Sequence, residues 1–167
     1  MTIDVFAADE QEEHPIAVGR WAELARHVLQ DRGIKGATEV SLLFVDEDAI
    51  ASLHEQFLGL PGPTDVLSFP IEDDPGPTGR SPDFGGTGPG SSAEEVSLTL
   101  LGDVVICPTV AARNALEHEV AFDDEVALLV VHGLLHLLGM DHAEDAQAER
   151  MEALEQDLLN RFYRNKP

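Results

Sequence analysis

The run Val126–Leu138 constrains this chain more than any other stretch, because apart from Gly133 and two histidines every residue in it is apolar. It is too short to cross a bilayer as a helix and carries two polar imidazoles. It therefore predicts a helix covered on all sides by protein, since a helix that is apolar all round belongs in a core. The rest of the fold has to supply that cover.

The histidines give the run its chemical content. His132, His136 and His142 follow the pattern H-x3-H-x5-H. Residues four apart share one helix face and lie about 6 Å apart along the axis. Two imidazoles so placed can aim their nitrogens at one ion, at roughly 2.0–2.1 Å for zinc. Gly139 suits a left-handed helix terminus that turns the chain back and brings in His142 as a third ligand. Three neutral imidazoles leave one tetrahedral position for water, the arrangement of catalytic zinc sites. The alternative is two core histidines and one surface histidine. Two buried imidazoles without partners would cost roughly 1–3 kcal/mol each, which favours the metal. The expectation is one Zn(2+) ion on a buried helix and the turn after it.

The pattern departs from the H-E-x-x-H motif of zinc peptidases, because Gly133 follows the first histidine where those enzymes carry the glutamate base. The general base is left unassigned. Asp141 is a candidate for support, either orienting a ligand histidine or accepting a proton, against the alternative of an N-cap with Glu144 three residues on. Asp103 opens an apolar strand and either supports the site or lies at a solvated strand end. His54 and His118 read as solvated, and His14 and His27 carry no signal. Cys107 reads as a small buried hydrophobe with no basic neighbour to activate it.

Length and charge bound the rest. The 167 residues suit one domain, 1–167. A balance of 10 basic against 32 acidic residues gives a net charge of -22, which repels phosphate at long range. Any RNA contact then needs a local basic pocket, a bound cation or a partner protein. One cysteine rules out an internal disulfide framework, and the N-terminus lacks a secretory pattern, so the expected location is cytoplasmic. No membrane association is expected.

Along the chain, Thr2–Phe6 reads as a first strand and Ala17–Leu29 as a helix with Trp21, Leu24, Ala25 and Val28 on one face. Val40–Val45 reads as a central strand, followed by a helix capped by Asp46 with Ile50, Leu53 and Phe57 on its apolar face. Asp65–Phe69 is a strand stopped by Pro70. Residues 72–95, acidic and rich in Gly and Pro, predict a mobile loop. Leu98–Ile106 returns as a strand, expected to pair with Asp65–Phe69 across the loop, and Pro108 opens a helix. A last helix spans about Ala143–Arg161 with Met151, Leu154, Leu158 and Phe162 on one stripe. The fold class is α+β: a small mixed sheet of about four strands with about five helices.

Three segments together resemble one family. His132–His142 (HGLLHLLGMDH), Thr64–Pro70 (TDVLSFP) and Leu101–Ile106 (LGDVVI) are similar, in order and spacing, to the YbeY-type endoribonucleases, the bacterial rRNA maturation factors. The resemblance runs from about Val40 to the end. It implies a zinc-dependent, single-strand-specific endoribonuclease of late rRNA maturation, including small-subunit rRNA 3′-end processing, with a role in ribosome quality control. It also implies ribosomal or assembly-factor protein partners, no DNA, and His132, His136 and His142 as metal ligands. Many members carry an arginine shortly before the TDVLSFP segment, whereas 53–63 here contains neither Arg nor Lys. The asparagine often found near His54 is also absent. The rival readings are a metal-stabilised ribosome-assembly factor without hydrolytic activity and a metallopeptidase-like hydrolase.

Overall fold

A computed structural model of the chain describes residues 3–34, 36–71, 99–140 and 144–164. The expected loop at 72–95 lies outside them. The described strands are β1 (Ile3–Asp9), β2 (Thr38–Phe44), β3 (Val66–Pro70) and β4 (Thr99–Ile106). The helices are α1 (Val18–Asp31), α2 (Glu47–Leu58), α3 (Pro108–His118), α4 (Phe122–Leu137) and α5 (Asp145–Leu159), the last widening into a π-helical turn at Asn160–Arg164. The sheet order is β1-β2-β4-β3. The first three run parallel, and β3 lies antiparallel on the β4 side as an edge strand. This is the α+β fold with a mixed four-stranded sheet that the segment pattern implies, and the β3–β4 pairing agrees with it. Pro70 ends β3 within the strand and not beyond it, which an edge position allows.

Alternation along the strands sorts side chains between two apolar clusters. Val40, Leu42 and Phe44 of β2, with Val104 and Ile106 of β4, face α1, α4 and α5 in the larger one. Leu67 of β3 and Val105 of β4 face the other way, against Ile50 of α2, with Cys107 just beyond the strand end. α4 is the buried centre: Val126, Val130, Val131 and Leu135 are 0 % exposed. Each such aliphatic side chain contributes about 1.5–3 kcal/mol of burial free energy.

The helix termini follow from local chemistry. The Asp46 side chain accepts from the Ala49 amide at 2.9 Å, capping α2 as its position suggests. Pro108 occupies the first turn of α3. α4 ends in paired bonds from the Gly139 amide to the His136 carbonyl and from the Met140 amide to the Leu135 carbonyl. With Gly139 at φ 98°, this is the glycine-terminated reversal expected there. The N-cap of α5 differs from expectation. It is Glu144, in a capping box with Gln147, three residues beyond Asp141, so the alternative reading of Asp141 as that cap is corrected. α2 also departs from its pattern: Ile50 is 0 % exposed, but Phe57 is 57 % exposed and touches Phe69 edge-on, at a ring-centroid distance of 5.2 Å. The last turn of α2 carries Phe57 past the main body of the smaller cluster.

Candidate metal centre and cleft

α4 brings His132 and His136 to one face, where their Nε2 atoms stand 3.1 Å apart with the rings at 78°. Two imidazoles bound to one tetrahedral zinc at 2.0–2.1 Å would hold their nitrogens about 3.3 Å apart. The pair therefore fits a shared ion in donor type and separation. No other His, Cys, Asp or Glu among the described residues completes a metal-ligating set of three with them. The third expected ligand, His142, and the candidate Asp141 lie outside the described residues.

Sequence reasoning missed the partner of His132. Glu155 on α5 is 6 % exposed, and its Oε2 lies 2.5 Å from His132 Nδ1. A carboxylate accepts, so Nδ1 carries the hydrogen, and in the neutral ring the lone pair is then on Nε2, on the side of His136. The available signal was an acid inside an apolar stripe. Glu155 falls one turn after Met151 and one before Leu158, both buried.

The histidines open onto a cleft of about 440 Å³ lined by Leu58, Asp65, Val66, Leu67, Ser68 and Pro70 together with His132 and His136. The TDVLSFP segment thus forms one wall, and its residue types have structural causes. Ser68 Oγ donates to the Gly133 carbonyl at 2.8 Å, tying the edge strand to the histidine helix. Asp65 accepts from Asn114 Nδ2 at 3.0 Å and from the Cys107 amide through its carbonyl at 3.0 Å. Val66 packs beside Gly133. A Cβ at Gly133 would lie 2.6 Å from Val104 Cγ1, 3.2 Å from Val66 Cγ2 and 3.4 Å from Ser68 Oγ. The position has no room for any side chain. The peptidase glutamate is therefore excluded sterically as well as by identity.

The remaining candidates fall elsewhere. Asp103 neighbours Val104, which faces α4, so alternation turns Asp103 to the opposite face of the sheet from the histidines. It does not line the cleft. Among the described residues no Lys or Arg lines the cleft either, and Leu58 stands at its mouth, 55 % exposed, within the segment that lacks the arginine. Two histidines expected to be solvated have partners. His54 Nδ1 donates to the Gly62 carbonyl at 2.9 Å, fixing the turn that carries Leu58 into the cleft. His118 Nδ1 lies 3.0 Å from the buried Glu125 carboxylate, which raises its pKa above the ordinary 6.5. Cys107 is fully buried, and burial pushes its thiol pKa up, as expected of an unreactive hydrophobe.

With this geometry in place, comparison with known proteins is direct. A family model described as Endoribonuclease YbeY matches residues 6–163. A relative from Thermobifida fusca, named Endoribonuclease YbeY, is 43 % identical over 165 residues, 95 % of this chain and 92 % of its own length. Another of that name from Beutenbergia cavernae is 41 % identical over 160 residues, covering 94 % and 97 %. A third, from Mycolicibacterium vanbaalenii, is 42 % identical over 165 residues, covering 97 % and 80 %. The solution structure of TM1509 from Thermotoga maritima shares the fold with a TM-score of 0.55 at 24 % identity, over 98 % of this chain and 93 % of that one. The match of the family model along nearly the whole chain, together with three relatives above 40 % identity, places this protein in the YbeY endoribonuclease family.

Proposed function

We propose that the protein is a zinc-dependent endoribonuclease that cuts single-stranded RNA at the cleft between β3 and α4, acting in late rRNA maturation. The observation that carries this reading is the convergence of His132 and His136 Nε2 on one point at the cleft wall. His142 is the proposed third ligand, close behind the Gly139 reversal. Zinc in an open imidazole site supplies Lewis-acid polarisation of a phosphoryl oxygen and a water whose pKa is lowered towards 7. The chain's own groups do the rest. Glu155 holds the His132 ring, Ser68 fixes the edge strand against α4, and the β3 wall bounds the space where the strand to be cut would lie. The preference for a single strand, small-subunit rRNA 3′-end processing, ribosome quality control and a cytoplasmic location belong to this proposal through the family resemblance. Among the described residues no helix is long and apolar enough to cross a membrane.

A second reading has its own observation. With a net charge of -22 and no Lys or Arg lining the cleft among the described residues, affinity for RNA would come largely from ribosomal or assembly-factor proteins, and a pure assembly factor would need no hydrolysis. One experiment separates the two. Purified wild type and His136→Ala, both checked for fold, are given a single-stranded rRNA precursor and, in parallel, casein. The endoribonuclease reading expects RNA cleavage by wild type alone and no proteolysis. An assembly factor cleaves neither substrate, and cleavage of casein alone would reinstate the peptidase.

A further inference from the structure

Buried among the apolar residues of α5, Glu155 is out of keeping with its surroundings. It is 6 % exposed, shares a stripe with Met151 and Leu158, and has the His132 imidazole as its hydrogen-bond partner among the described residues. A buried carboxylate is costly to desolvate, and apolar residues of similar volume often replace a whole buried polar pair without loss of stability. Packing alone therefore gives no reason for an acid here. A cavity of about 260 Å³ lies between α4 and α5, lined by His132, Ala148, Met151, Glu152 and Glu155. The His132 ring thus has open space beside it on the Glu155 side, and the carboxylate is the contact that holds its Nδ1 edge.

We infer that Glu155 is the positioning residue of the metal centre. It selects the Nδ1–H tautomer of His132 and fixes the ring so that the Nε2 lone pair faces the cleft before an ion arrives. This rests on the zinc reading above and deepens it. It acts on a ligand and not on the substrate, so its effect is expected in metal affinity and ring tautomer rather than in RNA binding.

The test uses full-length wild type, Glu155→Met and Glu155→Gln. Zinc dissociation constants come from competition with a chromophoric chelator, metal-free stability from urea unfolding, and the His132 tautomer from ring ¹⁵N shifts in the metal-free proteins. Glu155→Met is expected to bind zinc 10–100-fold more weakly, and its metal-free form to lose some stability, because the His132 Nδ1–H is left without its acceptor. Its His132 should show mixed tautomers. Glu155→Gln keeps an acceptor and falls between. A merely structural role would lower stability alone, leaving the zinc affinity and the His132 tautomer of the folded fraction intact. Wild-type zinc affinity in folded Glu155→Met overturns the inference; should that variant fail to fold, wild-type affinity and a single tautomer in Glu155→Gln do so. If wild type itself binds no zinc, the metal reading fails separately. The tautomer measurement then still decides whether Glu155 orients His132, a single tautomer in both wild type and the variants counting against it.

Discussion

Replacing Gly133 with alanine pits two physical effects against each other, and the structure decides which wins. In a helix interior the change should stabilise by about 0.5–1 kcal/mol through backbone entropy. Against this, the new methyl would sit 2.6 Å from Val104 Cγ1, about 1 Å inside ordinary contact. Val104 is 0 % exposed, sits between β2 and β3 neighbours, and is β-branched with a stiff χ1, so it cannot swing aside. Overpacking of this kind costs about 1–3 kcal/mol. The net expectation is a loss of up to about 2.5 kcal/mol, and any relief by outward movement of α4 displaces His132, on the adjoining position. A double-mutant cycle with Val104→Ala isolates the contact. Val104→Ala alone should cost about 2 kcal/mol as a core truncation. In the double variant the methyl added at position 133 occupies vacated space, so the two changes should couple favourably by about 1 kcal/mol or more. Urea unfolding in the presence of a chelator, which removes any contribution from metal binding, measures all four corners. A Gly133→Ala protein more stable than wild type, or additivity within about 0.3–0.5 kcal/mol, would refute the claim that close packing dictates glycine here.

Two further outcomes follow from the same geometry. Leu58→Arg places a guanidinium at the mouth of a cleft that no Lys or Arg lines among the described residues, so it should tighten single-stranded RNA binding. It should also steepen the salt dependence of log K by about 0.7 for one added phosphate contact; an unchanged slope in a filter-binding titration would show that this side chain does not reach the RNA. The Glu125 hydrogen bond, with smaller contributions from Glu117 and Asp65, raises the His118 pKa in the folded protein. That stabilisation is fully present below the unfolded value near 6.5 and is lost as pH rises through the higher folded value. The thermal midpoint should therefore fall across that window in wild type and fall less in His118→Gln. Identical pH profiles would remove the pair from the account.

Much of the site could be read from spacing, because histidines four apart on one helix and a glycine terminator are local signals. The β3–β4 pairing was equally legible, since two apolar runs flank one polar segment. The neighbours of β1 and β2 were not, because parallel pairing depends on contacts far apart in sequence. Asp103 shows the same limit: alternation places it opposite Val104, yet only the packed fold tells which face α4 covers. Glu155 was readable in principle, as the single acid between Met151 and Leu158 on a buried stripe, but its meaning depends on α5 crossing α4 at His132. The α5 cap was misplaced because Asp141–Glu144 and Glu144–Gln147 both carry the spacing of a capping box. Phe57 obeys helical periodicity and is exposed all the same, since periodicity cannot show where a sheet ends.

The central claim is that His132 and His136 hold a zinc ion on which RNA cleavage depends. Chelator-treated protein, shown by circular dichroism to remain folded, is titrated with zinc while cleavage of a single-stranded rRNA precursor is followed. The account predicts no cleavage without metal, full cleavage at one zinc per chain, and none at any zinc level for folded His136→Ala. Cleavage by the folded, metal-free protein at the rate of the zinc-loaded one would contradict it.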